Sequence, residues 1–169
     1  MQLVDEYISQ APVEVLEIEL PRDARALTTL PRVDYADCFL LETARAGDRS
    51  GEEWARAVLE ESPASTRRSL RRGWSALGVR LGSTADDSLV LGWQVRRRSP
   101  DFALLSAKSL FGMEAEVLAK RDERGVLAAT LMKLNNPVTR LFWAGFSFQH
   151  RRVLRHLLVQ AGRRANASS

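Results

Sequence analysis

Two histidines, one cysteine and a few carboxylates are the side chains best suited to chemistry in this 169-residue sequence. His150 and His156 are the only histidines. Six residues apart on a helix, they lie roughly 240° apart around the axis. They do not share a face, whereas a helical zinc pair needs i, i+4 spacing, so no metal site is expected. His150 sits among Gln149, Arg151 and Arg152. There it is a candidate polar contact at a cavity mouth, although a solvated or cap-like histidine is the commoner reading. Cys38 lies in the apolar run VDYADCFLLET at 33–43 and reads as a buried, inert thiol. In the same run Asp37 falls on the face of Tyr35 and Phe39. A carboxylate in an apolar cavity has a raised pKa and can do acid or base work; an edge carboxylate paired with an arginine is the plainer alternative. Glu114 and Glu116 share a strand face with Leu118 and Lys120, and that face reads as solvent-facing. There is no Gly-x-Ser-x-Gly elbow, no Walker-type loop and no dinucleotide fingerprint. No catalytic residue and no cofactor is assigned.

Aromatic residues suggest a second kind of site. Trp54, Trp74, Trp93 and Trp143 are spread over four different elements. Phe142, Phe146, Phe148, Met113 and Met132 extend the same apolar set. Such side chains wall ligand pockets, and they also fill cores. Core filling is the plainer reading for each one taken alone.

The elements that must position these residues follow from pattern and punctuation. VEVLEIEL at 13–20 alternates acid and apolar residues, as an extra strand or extended arm would. Val33 to Thr43 reads as a strand. Ser50 with Glu53 forms a capping box for a short helix. Ser62 as cap and Pro63 at the first position open a second helix striped by Leu70, Trp74 and Leu77, with Gly78 as its terminator. Four runs of strand length follow, Leu89–Arg98, Phe102–Leu110, Met113–Arg121 and Val126–Leu134, joined by short turns that suit an antiparallel meander. Asn136-Pro137 then starts a long helix running to about Arg163. The small polar residues after it read as a disordered tail over 164–169.

Charge is divided along the chain. Residues 1–61 carry a net −8 and residues 62–169 a net +12, and 22 of the 25 bases are arginine. The simplest account is that the two parts neutralise each other within one domain; weak binding to an anionic surface is the alternative. The arginine clusters lack the aromatic interleaving of RNA-binding modules, and no helix-turn-helix pattern is convincing, so sequence-specific nucleic-acid binding is not expected. No stretch approaches the roughly 20 apolar residues of a membrane span. Met1 to Gln10 carries Asp5 and Glu6 and does not read as a secretory signal. A cytoplasmic protein is expected.

The order of elements resembles the helix-grip fold of the START-like, or SRPBCC, superfamily over about residues 33–163. LGWQVRRRSPDFALLSAKS at 91–109 and TRLFWAGFSFQHRRVLRHLL at 139–158 are similar to bacterial members, many of which end in an aromatic stretch, Trp143 here, and a histidine near arginines, His150 here. The resemblance implies an α+β fold. In it a curved antiparallel sheet is closed at one end by two short helices, and the long C-terminal helix packs on its concave face. Residues 1–32 would be an N-terminal extension. The superfamily includes lipid and sterol carriers, polyketide cyclases and aromatases, and ligand sensors. Its ring-hydroxylating members use two histidines and a carboxylate, a set this sequence does not supply. The implied function is binding of a small hydrophobic or aromatic ligand between sheet and helix. Trp74, Trp93, Trp143, Phe142 and Phe146 would be walls, with His150 and Asp37 as polar contacts. The alternatives are a polyketide cyclase- or dehydratase-like enzyme using the same cavity, and a filled-core interaction protein with a basic surface.

Overall fold

The computed structural model describes residues 12–168. Its strands are β1 (Val15–Glu17), β2 (Tyr35–Glu42), β3 (Leu89–Val90), β4 (Trp93–Arg98), β5 (Phe102–Lys108), β6 (Met113–Asp122) and β7 (Gly125–Leu134). They form one antiparallel sheet in the order β1-β2-β7-β6-β5-β4-β3. The helices are the single turn α1 (Arg22–Arg25), α2 (Gly51–Leu59), α3 (Ala64–Ala76) and the long α4 (Pro137–Ala167). This is the expected α+β, helix-grip-like arrangement: a curved meander, short helices at one end and a long helix over one face. Among the described residues no helix is long and apolar enough to cross a membrane.

Local chemistry accounts for most boundaries. At α2 the Glu53 N–H donates to the Ser50 hydroxyl and the Ser50 N–H donates to the Glu53 carboxylate, so the capping box closes. Gly51 brings α2 tight against the β4–β5 turn: its N–H donates to the Pro100 carbonyl at 3.0 Å, and a Cβ there would collide with the Phe102 backbone. Gly78, at φ +70°, ends α3 in a Schellman arrangement, with Val79 N–H donating to Trp74 O and Gly78 N–H to Ser75 O. Asn136 caps α4 by accepting from the Thr139 N–H at 2.9 Å.

Three expected boundaries change. Ser62 does not cap α3; its hydroxyl donates back to the Leu59 carbonyl, and Pro63 takes the cap position without a side-chain bond. The run Leu89–Arg98 is two strands, because Leu91 and Gly92 turn the chain at φ +47° and +89° and pair Val90 with Trp93. The end of α4 is not a tail: helix continues to Ala167, Ala165 is buried, and the Arg164 guanidinium donates to the Ala57 carbonyl at 2.7 Å. Alanine and arginine favour helix, and docking on α2 holds the last turns.

Both sheet faces are covered. On the inner face Phe39, Leu41, Leu105, Val126 and Ala128 pack against Trp54 and Val58 of α2 and Leu154, Leu157, Leu158 and Ala161 of α4. On the outer face Cys38, Leu40, Leu104, Leu118, Leu127 and Leu131 are covered by Ile18, Leu20, Ala24, Leu27, Leu30 and Val33. The stretch read as an extension thus supplies an edge strand, β1, and an outer layer over 18–33; residues 1–11 lie outside the described residues. That layer overturns the solvent reading of Glu116, which is only 1% exposed. Its carboxylate accepts from the hydroxyls of Thr28 and Thr29 and from the Thr29 N–H at 3.1 Å.

Removing a partner from such a buried set leaves its donors unpaired, at about 1–3 kcal/mol each. Glu116→Ala should lower stability by about 3 kcal/mol in urea unfolding. A change below about 0.5 kcal/mol, the level of ordinary surface substitutions, would show that the strap is not held there.

Candidate functional site

Helix α4 is seated unevenly. Its second half buries Leu154, Leu157, Leu158, Ala161, Gly162 and Ala165. Gly162 lies so close to Val13 and Leu41 that a Cβ would meet their methyl groups at 2.7 and 2.8 Å. In the first half only Thr139 and Trp143 are buried. The helix therefore stands off the sheet at that end, and a cavity of about 770 Å³ lies beneath it. Small-molecule sites span about 300–1,000 Å³. Ala115, Val117, Thr130 and Met132 form the sheet wall, Leu70, Trp74 and Leu77 the α3 wall, and Trp143, Phe146, His150 and Val153 the α4 wall. No residue of α3 is buried, and Gln149, Arg152 and His156 of α4 line the cavity while exposed to solvent. The cavity is open along the α3–α4 gap.

Five of the seven residues singled out from the sequence line this space: Trp74, Trp93, Trp143, Phe146 and His150. Trp74 and Trp93 meet edge to face at 5.4 Å between centroids, and Trp143 packs against Phe146 at 5.6 Å. Phe142 does not line the cavity. One residue before Trp143 is about 100° around the helix, which turns the ring outward, 49% exposed and stacked on Phe146 at 5.9 Å. Asp37 is not at the cavity surface either; its side chain is fully buried behind His150 and Thr130.

Asp37 instead organises the polar end. Register places Asp37 on β2 opposite Thr130 on β7. The Thr130 N–H donates to Asp37 Oδ1 at 3.1 Å and the Tyr35 hydroxyl donates to Oδ2 at 2.6 Å. His150 Nε2 lies 3.3 Å from the same Oδ2 and 2.9 Å from Thr130 Oγ1. A carboxylate only accepts, so its charge favours a proton on the ring nitrogen beside it, while the Thr130 hydroxyl can serve that nitrogen as donor or acceptor. A neutral ring so protonated has its lone pair on Nδ1. Nδ1 makes no hydrogen bond among the described residues, and His150 lines the cavity. Trp143, with its ring centroid 5.2 Å away, backs the imidazole. The Arg151 Nε–H donates to the Tyr35 oxygen at 3.1 Å, which extends the chain to the surface.

The protonation preferences follow. Burial works to raise the Asp37 carboxyl, but the His150 hydrogen bond and charge, the Tyr35 hydroxyl and the Thr130 amide outweigh it and hold it below its ordinary range. The raised value expected for an isolated carboxylate in an apolar cavity is thus reversed by its partners. Burial, helped by the Asp37 charge, pushes the Tyr35 hydroxyl well up, so it stays a donor. Burial pushes the Cys38 thiol up to about 12, as an inert core thiol requires. Among the described residues no three histidine, cysteine or acidic side chains come together as a metal-binding group would.

Thr130 is the site residue that pattern reading missed. It is the single polar residue in the inward set Val126, Ala128, Thr130, Met132 and Leu134 of β7, and that alternation was the available signal. Trp93 and Trp143 add a further feature: both indole nitrogens are buried without an acceptor, so the walls hold two unsatisfied donors.

Because the folded Asp37 pKa lies below its ordinary value of 3.8, the carboxylate contributes stability above that value and loses it as pH falls through the folded value. Asp37→Asn should cost about 2 kcal/mol at neutral pH and give a shallower acid-unfolding slope than the wild type, read by circular dichroism against pH. An unchanged slope would contradict this account of Asp37. Among known proteins, no family model and no curated relative matches the chain, so a functional reading rests on the cavity and its polar end.

Proposed function

We propose that the protein binds a small hydrophobic or aromatic molecule in the cavity between the sheet and α4, with one polar group of that molecule placed at His150 Nδ1. The observation that carries this reading is an open space of about 770 Å³ with apolar and aromatic walls and one organised polar end. Burial of apolar ligand surface contributes about 25 cal/mol per Å², and a preformed pocket avoids the cost of opening one. The resemblance to helix-grip carriers supports the same reading. A filled core is disfavoured by the size of the space.

Native mass spectrometry of the purified protein should show a bound small molecule. Ala115→Trp, which places an indole in the cavity from β6, should leave the fold intact and remove that mass. Trp74, Trp93 and Trp143 stand in the wall, so added palmitate or naphthol should change tryptophan emission in the wild type. A ligand-free mass together with unchanged emission would sink the proposal.

A second reading, acid–base catalysis on a polyketide-type substrate, is favoured by the His150–Asp37 pairing. Nδ1 would take a proton from an acidic C–H of the substrate while Asp37 holds the resulting imidazolium. His150→Phe separates the two readings. For a binding protein it weakens affinity for a carboxylate- or phenol-bearing ligand about tenfold, with no turnover in either form. For an enzyme it abolishes conversion of a poly-β-ketone analogue that the wild type cyclises.

A further inference from the structure

Six large apolar side chains stand exposed among the described residues: Leu110, Phe111, Val138, Leu141, Phe142 and Phe148. They are gathered at one end of the molecule. The β5–β6 turn that carries Leu110 and Phe111 is tied to the start of α4, because Asn136 Nδ2 donates to the Phe111 carbonyl at 3.0 Å and the Asn135 N–H donates to the Gly112 carbonyl at 2.9 Å. The same turn is tied to the end of α3 by the Leu110 N–H donating to Gly78 O at 2.9 Å. On α4, Val138, Leu141, Phe142, Gly145 and Phe148 share the face turned away from buried Trp143. A Cβ on Gly145 would meet nothing within 4 Å. Leu77 and Phe146, beside this patch, line the cavity.

The helices beside the patch carry charge of one sign. Helices α3 and α4 hold ten arginines and no acidic residue. Elsewhere the bases of the second half meet acids of the first: Lys120 meets Asp23, and Arg98 meets Glu52. Arg140 and Arg151 meet Asp34 and Glu17 in the same way. Arg68 and Arg72 of α3, and Arg152 and Arg155 of α4, have no carboxylate partner among the described residues, and Arg152 lies over the Phe148 ring. Intramolecular neutralisation thus reaches the sheet and, on α4, Arg140 and Arg151, and leaves Arg68, Arg72, Arg152 and Arg155 beside the cavity mouth without a carboxylate partner among the described residues.

Three occupants differ in how they meet these facts. A second copy of the chain would bring arginine against arginine, which opposes association. A nucleic acid would use the arginines and leave Leu141, Val138 and Leu110 in water. An anionic bilayer matches both features, since apolar side chains enter the headgroup–acyl boundary while flanking bases meet lipid phosphates. We propose that the β5–β6 turn and the first three turns of α4 form a docking surface for an anionic lipid membrane, with the cavity mouth beside it. The proposal does not depend on what the cavity binds.

The test is co-sedimentation of the full chain with vesicles of phosphatidylcholine alone and of phosphatidylcholine mixed with phosphatidylglycerol, each at low and high salt. The expected result is binding to the mixed vesicles that weakens as salt rises. Leu141→Asp and Phe111→Asp should each reduce the bound fraction about tenfold. Both side chains are exposed, 79% and 59%, so the fold should survive, and unchanged thermal unfolding of each variant is the control. Phe111→Asp lies outside the helix, which guards against a defect confined to α4. Arg68→Glu with Arg72→Glu should weaken binding and flatten its salt dependence. No binding to phosphatidylglycerol vesicles would overturn the proposal, as would binding that both Asp variants retain. A wild-type dimer that Leu141→Asp converts to monomer, without vesicle binding, would assign the patch to self-association. Retention on an oligonucleotide but not on vesicles would assign it to nucleic acid.

Discussion

The close contact between the second half of α4 and the sheet is the constraint on which the rest depends. Gly162 and Ala161 let the helix backbone come down onto Leu41 and Val13, and Leu154, Leu157 and Leu158 fill the seam. Small residues at one end and Trp143 and Phe146 at the other make the helix a lever held at its C-terminal half. A straight helix seated at one end and propped at the other must leave a wedge of space. The cavity is therefore a product of the size gradient along one helix and needs no special loop. The same geometry brings His150 over β2 and β7, whose register has already placed Asp37 beside Thr130.

The polar end joins two layers that are 113 residues apart in sequence, from Asp37 to His150. Neither residue makes sense alone. A buried carboxylate without partners would favour its neutral form; with two donors and His150 beside it, its pKa stays below the ordinary range. α3 is held differently, by polar links and by the half-buried Leu70 and Trp74, with no fully buried side chain. Arg71 donates to the carbonyls of Leu91 and Gly82, and the Ser109 hydroxyl donates to Leu77 O. Leu91 itself sits in a left-handed conformation, anchored by its N–H donating to the Glu60 carboxylate at 2.9 Å. That anchored turn sets Trp93 against Trp74. The α3 wall is the one that can shift at the least cost in apolar contacts.

What the sequence made legible was whatever is encoded locally. The capping box at Ser50, the stop at Gly78, the Asn136-Pro137 start and the period-two strands are short-range signals, and the structure has each of them. The readings that failed involve distant partners. Leu91 hides a turn inside an apolar run because its unusual backbone is stabilised by Glu60, 31 residues away. Glu116 looks solvent-facing because the threonines that bury it lie nearly 90 residues earlier, in a stretch with little regular structure. Phe142 and Phe146 are indistinguishable by composition, and only the helix's rotation about its axis sends one inward and the other out. Asp37 was picked from its face, yet its role is to hold His150 and Tyr35 in place.

The outer layer has a consequence for handling the protein. A helix-covered face protects itself through many hydrogen bonds within one element, whereas the strap over 18–33 relies on a few apolar side chains and the Glu116 clamp. Should it peel away, Leu104, Leu118, Leu127 and Leu131 would form a continuous apolar surface spanning three neighbouring strands. Such a surface is sticky. A truncation begun near Val33, just before β2, would strip that cover and produce a chain prone to aggregation, even though its cavity and every residue around it were intact.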